Sequence, residues 1–261
     1  MMETRITVVV PAFNEEATIG RILSRVRRAL GDLPAEIIAL DDGSTDGTLP
    51  VLRRVAREDD RVRVVSHPVN RGKGAAMRSA IAIATGDILL VQDADLEYDP
   101  ADYPALLAPV LRGEADVVYG NRFHEGRAPQ VGVIFYLGNR VLTLLTRLLT
   151  GLAISDMEVG YKVFRTDIIR RLTLTSDRFG FEPEVTVKIA RLGCRLVQVP
   201  IHYRPRTRKE GKKIKWRDGI AAVAELVRGR FFDANERASG AAAITSARDV
   251  GDRARASDDS S

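Results

Sequence analysis

The sequence predicts an α/β protein built on a mainly parallel sheet with helices on both faces. Two observations carry this. Short β-rich apolar runs alternate with amphipathic helical patterns through the first half of the chain. Polar and charged residues then follow each of the first four runs, which is where ligands bind in parallel α/β sheets.

The elements are read in order. Residues 6–10 form strand one, and 15–30 a helix with apolar positions at Ile19, Ile22, Leu23, Val26 and Leu30. Strand two covers 36–40 and a helix 49–57. Strand three is 62–66, followed by a small-residue helix over 73–84. Strand four is 87–92. Asp102 stands as an N-cap before a helix with Pro104 in its first turn. Strand five is 116–119. The second half is less regular. It has an amphipathic helix over 131–150, a short run at 161–165, helices near 166–172 and 182–192, and a last strand at 196–201. A basic loop, 203–215, leads into an amphipathic helix, 216–230. From 233 to 261 there is no aromatic residue, and Ala, Ser, Asp and Arg dominate, so that stretch is expected to be a disordered tail. The expected organisation is one domain over 1–232, closed by the amphipathic helix, with the tail over 233–261.

Composition narrows the function classes. The chain has 261 residues, 45% hydrophobic and 29% charged, enough to bury a sizeable core. A single cysteine, Cys194, excludes an intramolecular disulfide framework and suggests a reducing compartment. No secretory leader is expected ahead of the first strand, and no run of 18 uncharged apolar residues reads as a membrane span. The expected setting is the cytoplasm, with a peripheral contact on the cytoplasmic face of the membrane. The net charge is +5. Nucleic acid is set aside as a partner: the basic residues are not interleaved with stacking aromatics, and acids crowd the strand ends.

Those strand ends hold the candidate chemistry. Strand one ends in Pro11, Ala12, Phe13, Asn14 and Glu15, and strand two in Asp41, Asp42 and Gly43. Strand three leads to Asn70, Arg71, Gly72, Lys73 and Gly74, whose spacing is neither a Walker loop nor a dinucleotide fingerprint. Strand four ends in Asp93, Ala94 and Asp95, followed by Glu97. If the strand stays extended, Asp93 and Asp95 point to one side. Two carboxylates that close repel unless a cation intervenes. Mg²⁺ or Mn²⁺ is the natural one, because each takes one or two carboxylates with phosphate oxygens and water. Alone, an Asp-X-Asp spacing is a weak signal; its place at a strand end gives it weight.

With these motifs in view, the sequence resembles glycosyltransferase family 2. It is most similar to the branch containing dolichyl-phosphate mannose synthase and bacterial polyprenyl-phosphate glycosyltransferases. The stretches VVVPAFNEEATI, DDGSTDGT, NRGKGAAMRSAI, GDILLVQDADLEYDP, DVVYGNRF, SDMEVGYKVFR and PIHYRPRTRKEGKKIKWRDGI carry the likeness over about residues 6–220. The resemblance implies the GT-A fold and inverting transfer of a hexose from a nucleotide-sugar of the GDP-mannose or UDP-glucose type. It implies that Pro11, Phe13 and Glu15 line the base and ribose pocket, with Asp42 on the nucleobase or ribose and Lys73 and Ala94 also at the donor. Asp93, Asp95 and Glu97 become the metal and donor group: Asp95 is the preferred metal ligand, and Asp93, also catalytic, serves the ribose or the sugar as much as the ion. Arg122 faces the donor, and Asp156 is the acidic active-site residue. Arg206, Lys212 and Lys213 lie in a loop that closes over the phosphates. His202 is either a metal ligand, by analogy with other GT-A enzymes, or a solvent-facing strand-end histidine.

The acceptor decides the mechanism. A hydroxyl acceptor, a glycan or a small phosphorylated acid, needs a general base such as Asp156. A polyprenyl or dolichyl phosphate is already an anion and needs cationic guidance, which Arg140, Arg147 and the basic 203–230 region offer. The lipid phosphate is the preferred acceptor. A carboxylate-pair glycoside hydrolase fits less well, because the basic loop favours a diphosphate-bearing donor.

Overall fold

The computed structural model describes residues 3–124, 133–178, 180–206 and 226. Seven strands form one sheet in the order β3-β2-β1-β4-β6-β5-β7. They are β1 (Ile6–Ala12), β2 (Ala35–Asp41), β3 (Val62–Ser66), β4 (Ile88–Val91), β5 (Val117–Asn121), β6 (Lys162–Arg165) and β7 (Leu196–Pro200). β1, β2, β3 and β4 pair in parallel, as does β5 with β7. β6 alone runs antiparallel, between β4 and β5. The helices among the described residues are α1 (Glu16–Leu30), α2 (Thr48–Glu58), α3 (Lys73–Ile83), α4 (Tyr103–Leu111), α5 (Val133–Thr150), α6 (Thr166–Ile169) and α7 (Phe181–Arg191). The predicted α/β class with a mainly parallel sheet is the observed architecture.

The central strands are buried on both faces, which is why they read as unbroken apolar runs rather than alternating ones. Val8, Val9, Val10, Ile37, Ile38, Leu89 and Leu90 are all fully buried. α1 presents Ile19, Ile22, Leu23, Val26 and Leu30 to this core, at the spacing seen in the sequence. A smaller apolar cluster gathers Leu142 of α5, Val187 of α7, Ile154, Met157 and Leu226.

Two expectations are corrected. β4 stops at Val91, so Asp93 and Asp95 stand in the turn beyond the strand, and Leu96 follows at a positive φ of 64°. Strand alternation therefore does not bring the two carboxylates to one side. Asp102 does not cap α4 with its side chain. A short 3₁₀ turn, Pro100–Asp102, precedes the helix and is capped by Asp99, leaving the Asp102 carboxylate for His202. The amphipathic helix expected at 216–230, the tail beyond 233, Lys212 and Lys213 lie outside the described residues, apart from Leu226.

Candidate active site

The carboxyl ends of β1, β2 and β4 open on one edge of the sheet, and the loops leaving them meet there. β1 delivers Glu15, whose backbone N–H donates to the Thr48 hydroxyl at 2.8 Å. Asn14 is held at a φ of 51°, and its amide oxygen accepts from the Thr45 N–H at 2.8 Å. The short polar side chain makes that left-handed backbone tolerable, and it locks the β1 loop to the β2 loop. Pro11 and Phe13 are half-buried beside them, and Ala94 is buried.

Asp42 is 3% exposed, and its carboxylate is filled from within the protein. It accepts from the Gly72 N–H at 2.7 Å, from the Asn70 amide at 3.0 Å and from the Arg71 N–H, and it meets His67 Nδ1 at 2.6 Å. Gly43 next to it takes a φ of 68° with the Val69 and Asn70 backbone against its Cα, where no side chain fits. Asp42 thus shapes the wall formed by residues 67–72; a direct contact with ribose would cost it these bonds.

Asp93 and Asp95 diverge. Lys73, at the start of α3, binds Asp93 Oδ1 at 2.8 Å and Glu182 Oε1, at the start of α7, also at 2.8 Å. Burial opposes the Lys73 charge, but the two carboxylates outweigh it and raise its pKa above that of an ordinary lysine. Gly160 approaches Asp93 so closely that a Cβ there would collide with Oδ2. Asp95 turns the other way, to Arg206 Nη2 at 3.0 Å. Burial, with the charges of Asp93 and Glu97, pushes the Asp95 carboxyl up to about 7, against the pull of Arg206. Among the described residues no three His, Cys, Asp or Glu groups gather as a ready metal cage.

Arg206 also meets both oxygens of Glu15 at 3.1 Å. Glu97 accepts the Arg206 backbone N–H at 2.7 Å on one oxygen and the Tyr203 hydroxyl at 2.9 Å on the other. The segment after β7 is therefore strapped across Glu15, Asp95 and Glu97.

On the far side of Tyr203 stands Arg122, just past β5, with its guanidinium 5.0 Å from the Tyr203 ring. Asp156 holds Arg122 in a two-pronged pair, Nε at 2.6 Å and Nη2 at 2.7 Å. Asn139 of α5 donates to Asp156 at 3.0 Å. Asp156 is 0% exposed, and this pairing, against the cost of burial, lifts the Arg122 pKa well above its usual value. Tyr98 stacks on Tyr161 at 4.7 Å and lies 5.3 Å from Tyr203, forming an aromatic floor.

Sequence reasoning had not singled out Glu182, Glu158, Lys162 or Asn139. Lys162 is fully buried on β6 and donates to the Met157 and Val159 carbonyls, and burial lowers its pKa to about 8. Glu158 Oε1 is buried with no hydrogen-bond partner, and burial together with Glu182 raises that carboxyl to about 7. The signal available was the pair of acids in the first turn of α7 and the lysine in an apolar β6 run. His202 is solvent-facing: its side chain is 86% exposed, and Nδ1 pairs with Asp102 at 2.7 Å.

Residues 7–173 match the model of Glycosyl transferase family 2. An undecaprenyl-phosphate mannosyltransferase of Micrococcus luteus is 31% identical over 80% of this chain and 87% of its own length. A polyprenol monophosphomannose synthase of Mycolicibacterium smegmatis is 29% identical over 87% of this chain and 89% of its own. With the dodecaprenyl-phosphate galacturonate synthase of Rhizobium johnstonii the identity is 32% over 68% of this chain, and the chain spans about half, 53%, of that relative. Among solved structures, glucosyl-3-phosphoglycerate synthase from Mycobacterium tuberculosis with Mn²⁺ and UDP-glucose superposes with a TM-score of 0.71 at 26% identity, over 87% of this chain and 79% of that one.

Proposed function

The chain belongs to glycosyl transferase family 2, and on that premise we propose that it moves a hexose from a nucleoside-diphosphate sugar to a polyprenyl phosphate. The observation that carries the acceptor is the state of Asp156. Its carboxylate is buried and spent on Arg122 and Asn139. A hydroxyl acceptor needs a base to take its proton; a phosphate acceptor needs a fixed cation. Asp156 serves the second need by positioning Arg122, so Arg122 is the group that meets the reacting phosphates.

The donor binds over the loops after β1, β2 and β4, with Pro11 and Phe13 near the base. Asp95 and Glu97 fit a Mg²⁺ or Mn²⁺ ion, since both face one cation position, filled here by the Arg206 guanidinium. Two carboxylates, completed by diphosphate oxygens and water, are the donor set such an ion takes. When bound, the ion would neutralise charge growing on the leaving diphosphate. Asp93 stays with Lys73 and Glu182 and orients the sugar.

A membrane contact is supported by α5. Leu137, Val141, Leu144 and Leu148 form an exposed stripe along one face at helical spacing. Arg140 and Arg147 flank it and line an open pocket with Thr143 and Ser155. An apolar stripe edged by arginines suits an anionic lipid surface. No described helix is long and apolar enough to cross a membrane.

The second reading, transfer to a small phosphorylated acid, draws on the likeness to glucosyl-3-phosphoglycerate synthase. A panel of UDP- and GDP-sugars, with undecaprenyl phosphate in detergent, tests the proposal in Mn²⁺, in Mg²⁺ and in EDTA. Metal-dependent transfer from one donor is expected. Full activity in EDTA, or in Asp95→Ala, would overturn the metal assignment.

A further inference from the structure

Three acidic groups from two loops, Glu15, Asp95 and Glu97, meet a single side chain, and that side chain belongs to the protein. Arg206 donates to Glu15 from both Nη atoms at 3.1 Å and to Asp95 at 3.0 Å, and its Nε stands 4.0 Å from Glu97. The side chain is 14% exposed. Like charges brought this close repel, and the Arg206 guanidinium is the cation that offsets them. A divalent ion bound between Asp95 and Glu97 would take the position that the guanidinium holds between them.

We propose that Arg206 is a tethered counter-cation that competes with the divalent metal for Asp95 and Glu97, so that the metal loads well only together with a nucleoside diphosphate. The inference rests on the metal-and-donor reading above and adds its regulation. The diphosphate supplies the exchange. It brings new anionic oxygens for the metal and a new anion for the displaced guanidinium, so metal and nucleotide each strengthen the other's binding. The latch is also imperfectly satisfied: the buried Nε of Arg206 has no hydrogen-bond partner. An incomplete set of bonds lowers the cost of release.

Release has a consequence across the site. Glu97 is held on one oxygen by the Arg206 N–H and on the other by the Tyr203 hydroxyl, while its carbonyl accepts the Arg204 N–H at 2.8 Å. Freeing Glu97 therefore shifts the strap 203–206. The Tyr203 ring lies against the Arg122 guanidinium, so loading the donor side changes the packing of the acceptor-side arginine.

The test is Mn²⁺ binding to the full chain, read by calorimetry or by the paramagnetic resonance of free Mn²⁺, alone and with saturating UDP or GDP. Wild type is expected to bind Mn²⁺ weakly alone and at least tenfold more tightly with the nucleotide it accepts. Arg206→Ala and Arg206→Gln are expected to bind Mn²⁺ alone about tenfold more tightly than wild type and to lose most of the nucleotide enhancement. Arg206→Lys, which keeps a cation, should stay close to wild type. Thermal melting confirms that each variant is folded, and the Gln variant keeps side-chain volume if the Ala variant is not. Equal Mn²⁺ affinity in wild type and both neutral variants overturns the latch while leaving the metal assignment standing. No Mn²⁺ binding to any form, even with UDP or GDP, overturns both.

Discussion

Replacing Asp156 separates a base from a positioning group. The Asp156 side chain is 0% exposed and that of Arg122 12%, and two charge-assisted bonds of 2.6 and 2.7 Å join them. Asp156→Ala leaves a buried guanidinium without its partner, which costs about 3–5 kcal/mol. For a domain of this size each kcal/mol lowers Tm by about 2–4 °C, so a drop of roughly 6–20 °C is expected. Asp156→Asn keeps the volume and loses the charge and one strong bond, about 1.5–3 kcal/mol. The catalytic loss follows from Arg122 drifting off its line. Removing one oriented donor to developing charge costs on the order of 10²–10³ in kcat. The assay is kcat against pH for wild type and Asp156→Asn, with thermal melting beside it. The loss should be similar at every pH and accompanied by a lower Tm. A variant with unchanged Tm whose pH profile loses its acidic limb would refute the positioning role and restore Asp156 as a general base.

Three further outcomes are expected. Lys73→Met strands Asp93 and Glu182, both largely buried; it should destabilise the fold by about 3–5 kcal/mol in urea denaturation and weaken UDP or GDP binding. Glu158 is raised to about 7 in the folded state, so the folded chain holds its proton where the unfolded chain has released it. Its favourable contribution is complete below about pH 4.5 and is lost as pH rises through 7. Glu158→Gln should therefore gain stability relative to wild type between pH 5 and pH 8, by up to about 3 kcal/mol; a difference independent of pH would contradict this. Leu144→Glu with Leu148→Glu should leave unfolding free energy within about 0.5 kcal/mol of wild type, because both side chains are exposed. The same pair should abolish flotation with anionic vesicles, and flotation unchanged would remove the membrane face from α5.

Much of this architecture was legible because strands buried on both faces are simple to read. Val8 to Val10 and Ile37 to Leu40 are apolar without interruption, and α1 repeats its core face at regular spacing. Lys73 and Arg122 do stand beside strand-end acids, Lys73 against Asp93 and Arg122 against Asp156. What local pattern could not supply was partners. Arg206 meets Asp95 across 111 positions, and Lys73 meets Glu182 across a similar stretch of chain. The same limit explains Asp93 and Asp95. Their spacing implied a shared side only while the strand continued, and the chain leaves the sheet after Val91. Asp102 carried the composition of a helix cap, but the segment after β7 brought His202 within reach and took the carboxylate. Glu158 and Lys162 were invisible because a charged residue in a short run reads as a surface position until the fold buries it.

The proposed function is tested most directly by acceptor choice. Purified protein with Mn²⁺ and its preferred labelled nucleotide-sugar is offered undecaprenyl phosphate and 3-phosphoglycerate in one detergent solution, and the label is partitioned between organic and aqueous phases. Label is expected in the organic phase as a polyprenyl-phosphate sugar, lost in EDTA and in Arg122→Ala. Label appearing only in a water-soluble phosphoglycerate product would contradict it.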